Sequence, residues 1–150
     1  MGVVRLERFL RRHRRIFLDT SIFIYQLEAN PRYLALTDRV FEWLDQPSHS
    51  AVTSTITMME LLVMPYRRRN DQQVDNYYAL LSTYPGLDWI APNLEIADSG
   101  ARIRATHSLK TPDALQAATA IQAKVTGLVT NDSVFERVEG FETLILEKLL

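Results

Sequence analysis

The apolar positions along the chain change period repeatedly, and each change marks an element. In "VVRLERFLRRHRR", Val4, Leu6, Phe9 and Leu10 fall at the spacings of a short amphipathic helix. "IFL" (16–18) is a solid apolar run and predicts a buried strand; "SIFIYQLEAN" predicts a helix capped by Thr20 or Ser21. A further helix is expected from Pro31 to Leu44, with Leu34, Val40, Phe41 and Leu44 inward. "SAVTST" predicts a second strand, followed by a helix in "TITMMELLVM" that stops at Pro65. "DQQVDNYYALLSTYPG" is helical and closes at the Pro85-Gly86 turn; "LDWIA" is a third strand and "LEIADSGARIRATH" a helix. In "TPDALQAATAIQAKVTG", Thr111 suits the N-cap, Pro112 the first helical position and Gly127 the C-terminal cap. "LVT", a short helix in "SVFERV" and the strand "FETLIL" complete the chain.

Short apolar strands separated by helices predict an α/β fold, a three-layer α/β/α sandwich around a five-stranded, mostly parallel sheet. Ligands of such sheets bind beyond the carboxyl ends of the strands. Asp19 follows "IFL" directly and Asp132 lies just past "LVT", so both are expected at that edge. Otherwise Asp19 would place a carboxylate inside an apolar run, where an unpaired charge costs several kcal/mol.

Glu60 in "TMMELL" and Asp113 in "TPDAL" extend the set to four acids. Each has a plain structural role open to it: Asp19 or Asp132 as a helix cap, Glu60 closing a capping box with Thr57, Asp113 in a first helical turn. Should all four converge instead, each pair about 4 Å apart would repel by about 4 kcal/mol at an effective dielectric of about 20. Such a cluster calls for a cation or extra protons. Hard oxygen donors favour Mg²⁺ or Mn²⁺, and the chemistry of such a site is phosphoryl transfer.

Composition narrows the choice. At 150 residues, with 47% hydrophobic and 23% charged residues, the chain has the make-up of one soluble domain. It contains no Cys, which excludes disulfides and thiolate metal sites. No apolar run approaches the length of a membrane span, so a cytoplasmic location is expected. His13, His49 and His107 lack zinc-type spacing, and no GxGxxG, P-loop or GxSxG motif is present. The formal charge of -1 conceals six arginines (5, 8, 11, 12, 14, 15) against a single Glu7 in residues 1–15. Residues 1–15 are therefore taken as a basic N-terminal extension, either an extra packing helix or an arm that meets an anionic partner.

The segments "FLDTSIFIY", "TSTITMMELL", "KTPDALQAATA" and "GLVTNDSVF", in that order and at these separations, resemble the PIN-domain family, and within it the VapC-type toxins of toxin–antitoxin pairs. The resemblance spans 16–146 of a nuclease domain taken as 16–150. It implies a Mg²⁺- or Mn²⁺-dependent endoribonuclease, with Asp19, Glu60, Asp113 and Asp132 as its catalytic acids and Asp19, Asp113 and Asp132 around the metal. Thr20, Ser21, Thr130 and Asn131 match the family's polar companions, expected to orient carboxylates or water from behind. It also implies a homodimer and a small antitoxin that covers the acidic site. Arg11, Arg12, Arg14 and Arg15, with Arg67, Arg68 and Arg69, are candidate RNA contacts, and Arg102 and Arg104 are further ones. Tyr77, Tyr78 and Trp89 are aromatic side chains for core, dimer or base stacking. Two rival readings keep the fold and change the function: a catalytically silent RNA- or protein-binding scaffold, and a related metal nuclease acting on DNA.

Overall fold

The computed structural model describes all 150 residues. Five strands, β1 (Arg15–Leu18), β2 (Ser50–Ser54), β3 (Leu87–Ile90), β4 (Gly127–Thr130) and β5 (Glu142–Ile145), form one sheet in the order β3-β2-β1-β4-β5. Every pairing is parallel, one step beyond the mostly parallel sheet expected. The seven helices are α1 (Gly2–Arg11), α2 (Thr20–Leu27), α3 (Leu34–Leu44), α4 (Thr55–Arg67), α5 (Asp71–Ser82), α6 (Leu94–His107) and α7 (Thr111–Gln122). Two short 3-10 turns, Ser133–Arg137 and Leu146–Leu149, flank β5; the second carries no signal in the apolar pattern.

The period of two along each strand sorts side chains between two cores. The register aligns Phe17 with Val52 on one side and with Leu128 on the other. These three, all fully buried, meet α6 and α7 through Ile96, Ile103, Ala114 and Ala117. Ile16, Leu18, Ala51 and Val129 point the opposite way, into a core shared with α1, α2 and α3. Full burial of a side chain such as Phe17 or Leu128 is worth roughly 1.5–3 kcal/mol, and the alternation makes a one-residue slip of β1 prohibitive.

Helix α1 belongs to that second core: Leu6, Phe9 and Leu10 are buried with Ile16, Leu18, Leu146 and Leu149. Val4 is exposed and Val3 packs in its place. Below α1, His13 hydrogen bonds Thr126 Oγ1 and Glu142 Oε1, both at 2.7 Å, and Arg12 forms a bidentate pair with Glu142. Gly127 makes room for this arrangement, because a Cβ there would lie 2.8 Å from Phe9 Cζ.

Several boundaries differ from the sequence pattern. Helix α4 does not stop at Pro65 but runs through it to Arg67. A proline breaks a helix by clashing with the preceding turn, yet only half a turn remains beyond it, and its burial compensates. Helix α3 begins at Leu34 rather than Pro31, and its inner face is Leu36, Val40, Phe41, Trp43 and Leu44, with Leu34 only partly covered. Asp19, not Thr20 or Ser21, caps α2. Lys110 precedes α7, so Thr111 and Pro112 are its first two residues, and α7 ends at Gln122; Gly127 opens β4 instead of capping the helix.

Candidate active site at the carboxyl edge of the sheet

In a parallel sheet with crossover helices, each helix following a strand starts at the carboxyl edge and runs back across a face. That topology gathers the four acids. Asp19 leaves β1 and caps α2, and Glu60 lies on α4, which starts directly after β2. Asp113 is in the first turn of α7, the helix that returns to begin β4, and Asp132 stands two residues past β4.

Asp19 is held on three sides. Its Oδ1 accepts from the Thr20 amide at 2.8 Å and its Oδ2 from Thr130 Oγ1 at 2.6 Å, with Ser21 Oγ more distant at 3.4 Å. Burial pushes its carboxyl up to about 6; the bonds from Thr130 and Thr20 pull the other way, and Asp113 and Glu60 add repulsion. Asp113 is raised by burial and by the charges of Asp132 and Glu60, against a lowering by Lys110. The four carboxylates therefore share one electrostatic field, and none of them forms an ion pair with Arg, Lys or His.

The plain structural roles divide. Asp19 caps α2 and Asp132 caps the following 3-10 turn through the Val134 amide at 3.0 Å. Glu60 closes no capping box, because α4 begins at Thr55 with Ser54 as its cap, which leaves Glu60 in mid-helix. Its Oε1 accepts instead from Thr20 Oγ1 at 2.7 Å. Thr130 Oγ1 also accepts from the Asp132 amide at 3.0 Å, linking two acids through one hydroxyl. Asn131 turns elsewhere: it donates to Tyr25 OH at 3.0 Å and accepts from the Glu147 amide at 2.8 Å, securing the loop after β4.

Three polar residues behind the acids lie within "TSTITMMELL" and "KTPDALQAATA" without being among the matched acids or polar companions. Thr53, Thr57 and Gln116 are buried, and Gln116 Nε2 donates to Thr57 Oγ1 at 3.0 Å, while Thr57 lies 3.1 Å from Thr20 Oγ1. The signal for Gln116 is its place one turn after Asp113 in the apolar run "ALQAA".

No three His, Asp or Glu side chains stand close enough to grip one ion directly. The donor set nevertheless suits a hard divalent cation, which commonly takes one or two carboxylates and keeps several waters. Asp19 has two fixed oxygens, a burdened negative charge and no protein cation to neutralise it.

The arginines lie in separate parts of the molecule. Arg11, Arg12, Arg14 and Arg15 lie at the amino end of β1, across the sheet from Asp19, where Arg12 pairs with Glu142 and Arg15 with Asp88. Arg67, Arg68 and Arg69 end α4, and Arg68 lines a cleft of about 390 Å³ shared with Glu60, Ile24, Met64 and Tyr77. Arg102 pairs with Asp98 on α6, and Arg104 donates to the Leu109 carbonyl. Trp89 donates to the Leu81 carbonyl and packs on Phe23, whereas Tyr78 is exposed.

A five-stranded parallel sheet in this order, with carboxylates from four elements at one edge, has a counterpart among known proteins. The PIN domain family model matches residues 16–140, and the chain belongs to that family. Its fold is shared by solved structures of low identity. A chain in the crystal structure of VapBC2 from Rickettsia felis bound to a promoter DNA fragment superposes with a TM-score of 0.71 at 19% identity, covering 87% of this chain and 98% of that one. A chain of VapBC-1 from nontypeable Haemophilus influenzae gives 0.68 at 23%, covering 89% and 98%. One from a toxin–antitoxin complex of Klebsiella pneumoniae gives 0.64 at 22%, covering 87% and 97%. No curated protein sequence matches the chain.

Proposed function

We propose that the chain is a Mg²⁺- or Mn²⁺-dependent endoribonuclease and the toxin of a VapBC-type toxin–antitoxin pair. The observation that carries the reading is the meeting of Asp19, Glu60, Asp113 and Asp132 at one sheet edge with no cationic side chain to pair them. Asp19 and Asp113 would hold the ion directly, with Asp132 and Glu60 acting on it through water. When bound, the ion supplies an acidified water and relieves the negative charge that builds on the phosphate. The chain's own part is positional. Thr130 and the Thr20 amide aim both oxygens of Asp19, and Thr20 fixes one oxygen of Glu60, leaving Oε2 free to orient the attacking water. Arg68 and Tyr77, in the cleft beside Glu60, suit a phosphate and a base of a single strand. The toxin assignment draws on the structural neighbours, a Klebsiella pneumoniae toxin–antitoxin complex and two VapBC structures, and an antitoxin that covers this edge would silence it.

The deciding experiment is Mn²⁺-dependent cleavage of single-stranded RNA beside matched DNA, with EDTA controls, for the wild type, Asp19→Asn and Asp113→Asn. RNA cleavage that EDTA and both substitutions abolish, in folded proteins, is the expected outcome. Cleavage of DNA alone moves the reading to a DNA nuclease. Metal binding and cleavage both absent in the wild type would leave a scaffold.

A further inference from the structure

Gln116 is almost wholly buried among the alanines and Thr119 of α7, and its Oε1 has no hydrogen-bond partner. An orphaned buried carbonyl costs about 1–3 kcal/mol. An apolar side chain of equal size would avoid that cost, so what the amide does at its other end matters.

Its Nε2 opens a chain of hydrogen bonds whose direction is set by where it ends. Glu60, as a carboxylate, only accepts, so Thr20 Oγ1 gives it its single proton at 2.7 Å. Thr20 Oγ1 can then only accept, and the hydroxyl 3.1 Å away on Thr57 supplies that proton. Thr57 Oγ1, having spent its own, accepts from Gln116 Nε2 at 3.0 Å. A second, longer contact runs from Gln116 Nε2 to Thr20 Oγ1 at 3.4 Å. Thr53 Oγ1 reaches the same hydroxyl: it lies within donating distance of Thr57 Oγ1 at 2.9 Å as well as of the Leu18 carbonyl at 2.9 Å, so Thr57 Oγ1 accepts from two sides and its own proton is left for Thr20. Successive donors polarise one another in a dry interior, and Gln116, Thr57 and Thr20 are all buried.

We infer that Gln116 is a positioning residue for the reaction: through Thr57 and Thr20 it holds the Glu60 carboxylate with Oε1 engaged and Oε2 facing the cleft. The inference rests on the function proposed above only for its kinetic consequence. Helix α7 thus carries Asp113 into the site and, one turn later, the root of the relay that fixes a carboxylate on α4.

The test uses Gln116→Met, which keeps length and volume and removes the donor. In a crystal structure of the metal-free variant, the Thr20 Oγ1–Glu60 Oε1 contact is expected to open and the Glu60 side chain to leave its position. Glu60 unmoved in that structure overturns the inference whether or not the protein cleaves RNA. For a wild type that does cleave, kcat at saturating Mn²⁺ is expected to fall by about 10-fold with KM little changed, while the melting temperature in EDTA holds or rises. The effect should also vanish in a Thr57→Val background, since one relay cannot be broken twice. A lower melting temperature with unchanged kcat, or losses that multiply in the double variant, would show a merely structural glutamine.

Discussion

Asp19 shows how one residue serves both folding and chemistry. It caps α2, yet burial and its acidic neighbours raise its carboxyl from 3.8 to about 6. Between those values the folded protein keeps a proton that the unfolded chain has released, so without metal this group makes stability fall as pH climbs from about 4 to 6. Asp19→Asn, which cannot ionise, should escape the fall. In EDTA its stability relative to wild type is expected to improve between pH 4 and pH 7.5, by up to about 3 kcal/mol, as read by urea unfolding at both pH values. An unchanged difference would count against the shared field. Added Mn²⁺ should reverse the ranking, because only the wild type then gains from binding. Asp19 was legible in the sequence because a carboxylate interrupts an apolar run directly after a strand. Gln116 and Thr57 were not: the place of Gln116 one turn after Asp113 marks its face of α7 but not its partners, and only the packed structure shows what each touches.

At the scale of elements, apolar periodicity located all five strands and seven helices but not the ends set by tertiary contact. Pro65 passes through α4 because burial outweighs a local break, and Gly127 serves a close approach rather than a cap. Helix α1 makes this testable. It precedes the residues matched by the family model, yet Phe9 is buried against Gly127. Phe9→Ala should cost about 3–5 kcal/mol, whereas Val4→Ala, on the exposed side of the same helix, should stay within about 0.5 kcal/mol. Chemical denaturation compares the two, and similar values would mean that α1 is not part of the core. Gly127→Ala should cost about 1–3 kcal/mol by overpacking, and Phe9→Leu in the same chain should return part of it, as a shift in melting temperature would register.

Across the whole molecule, charge is arranged by edge. The arginine-rich start raised two possibilities in the sequence, a packing helix and an RNA-contacting arm, and only the fold shows on which side of the sheet its charges lie. Arg12, Arg14 and Arg15 sit at the amino edge, Arg12 paired with Glu142 and Arg15 with Asp88, while Arg68 shares a cleft with Glu60. Salt dependence of RNA binding separates these positions. In a non-cleaving Asp19→Asn background, Arg68→Gln should lower the slope of log K against log salt by about 0.7, the single-strand value for one phosphate contact. Arg14→Gln should leave it unchanged. The opposite ranking, measured by fluorescence anisotropy across a salt series, would place RNA on the far edge.

The embrace of α1 and the last 3-10 turn has a further consequence. Arg5 donates to the Lys148 carbonyl at 2.8 Å, and Gly2 lies against Leu149. Helix α1 is made well before residues 146–149, so part of its apolar face stays uncovered until they too have emerged from the ribosome. The clasp stays open while those residues are still in the tunnel, so the seal on this fold is a late event in its synthesis.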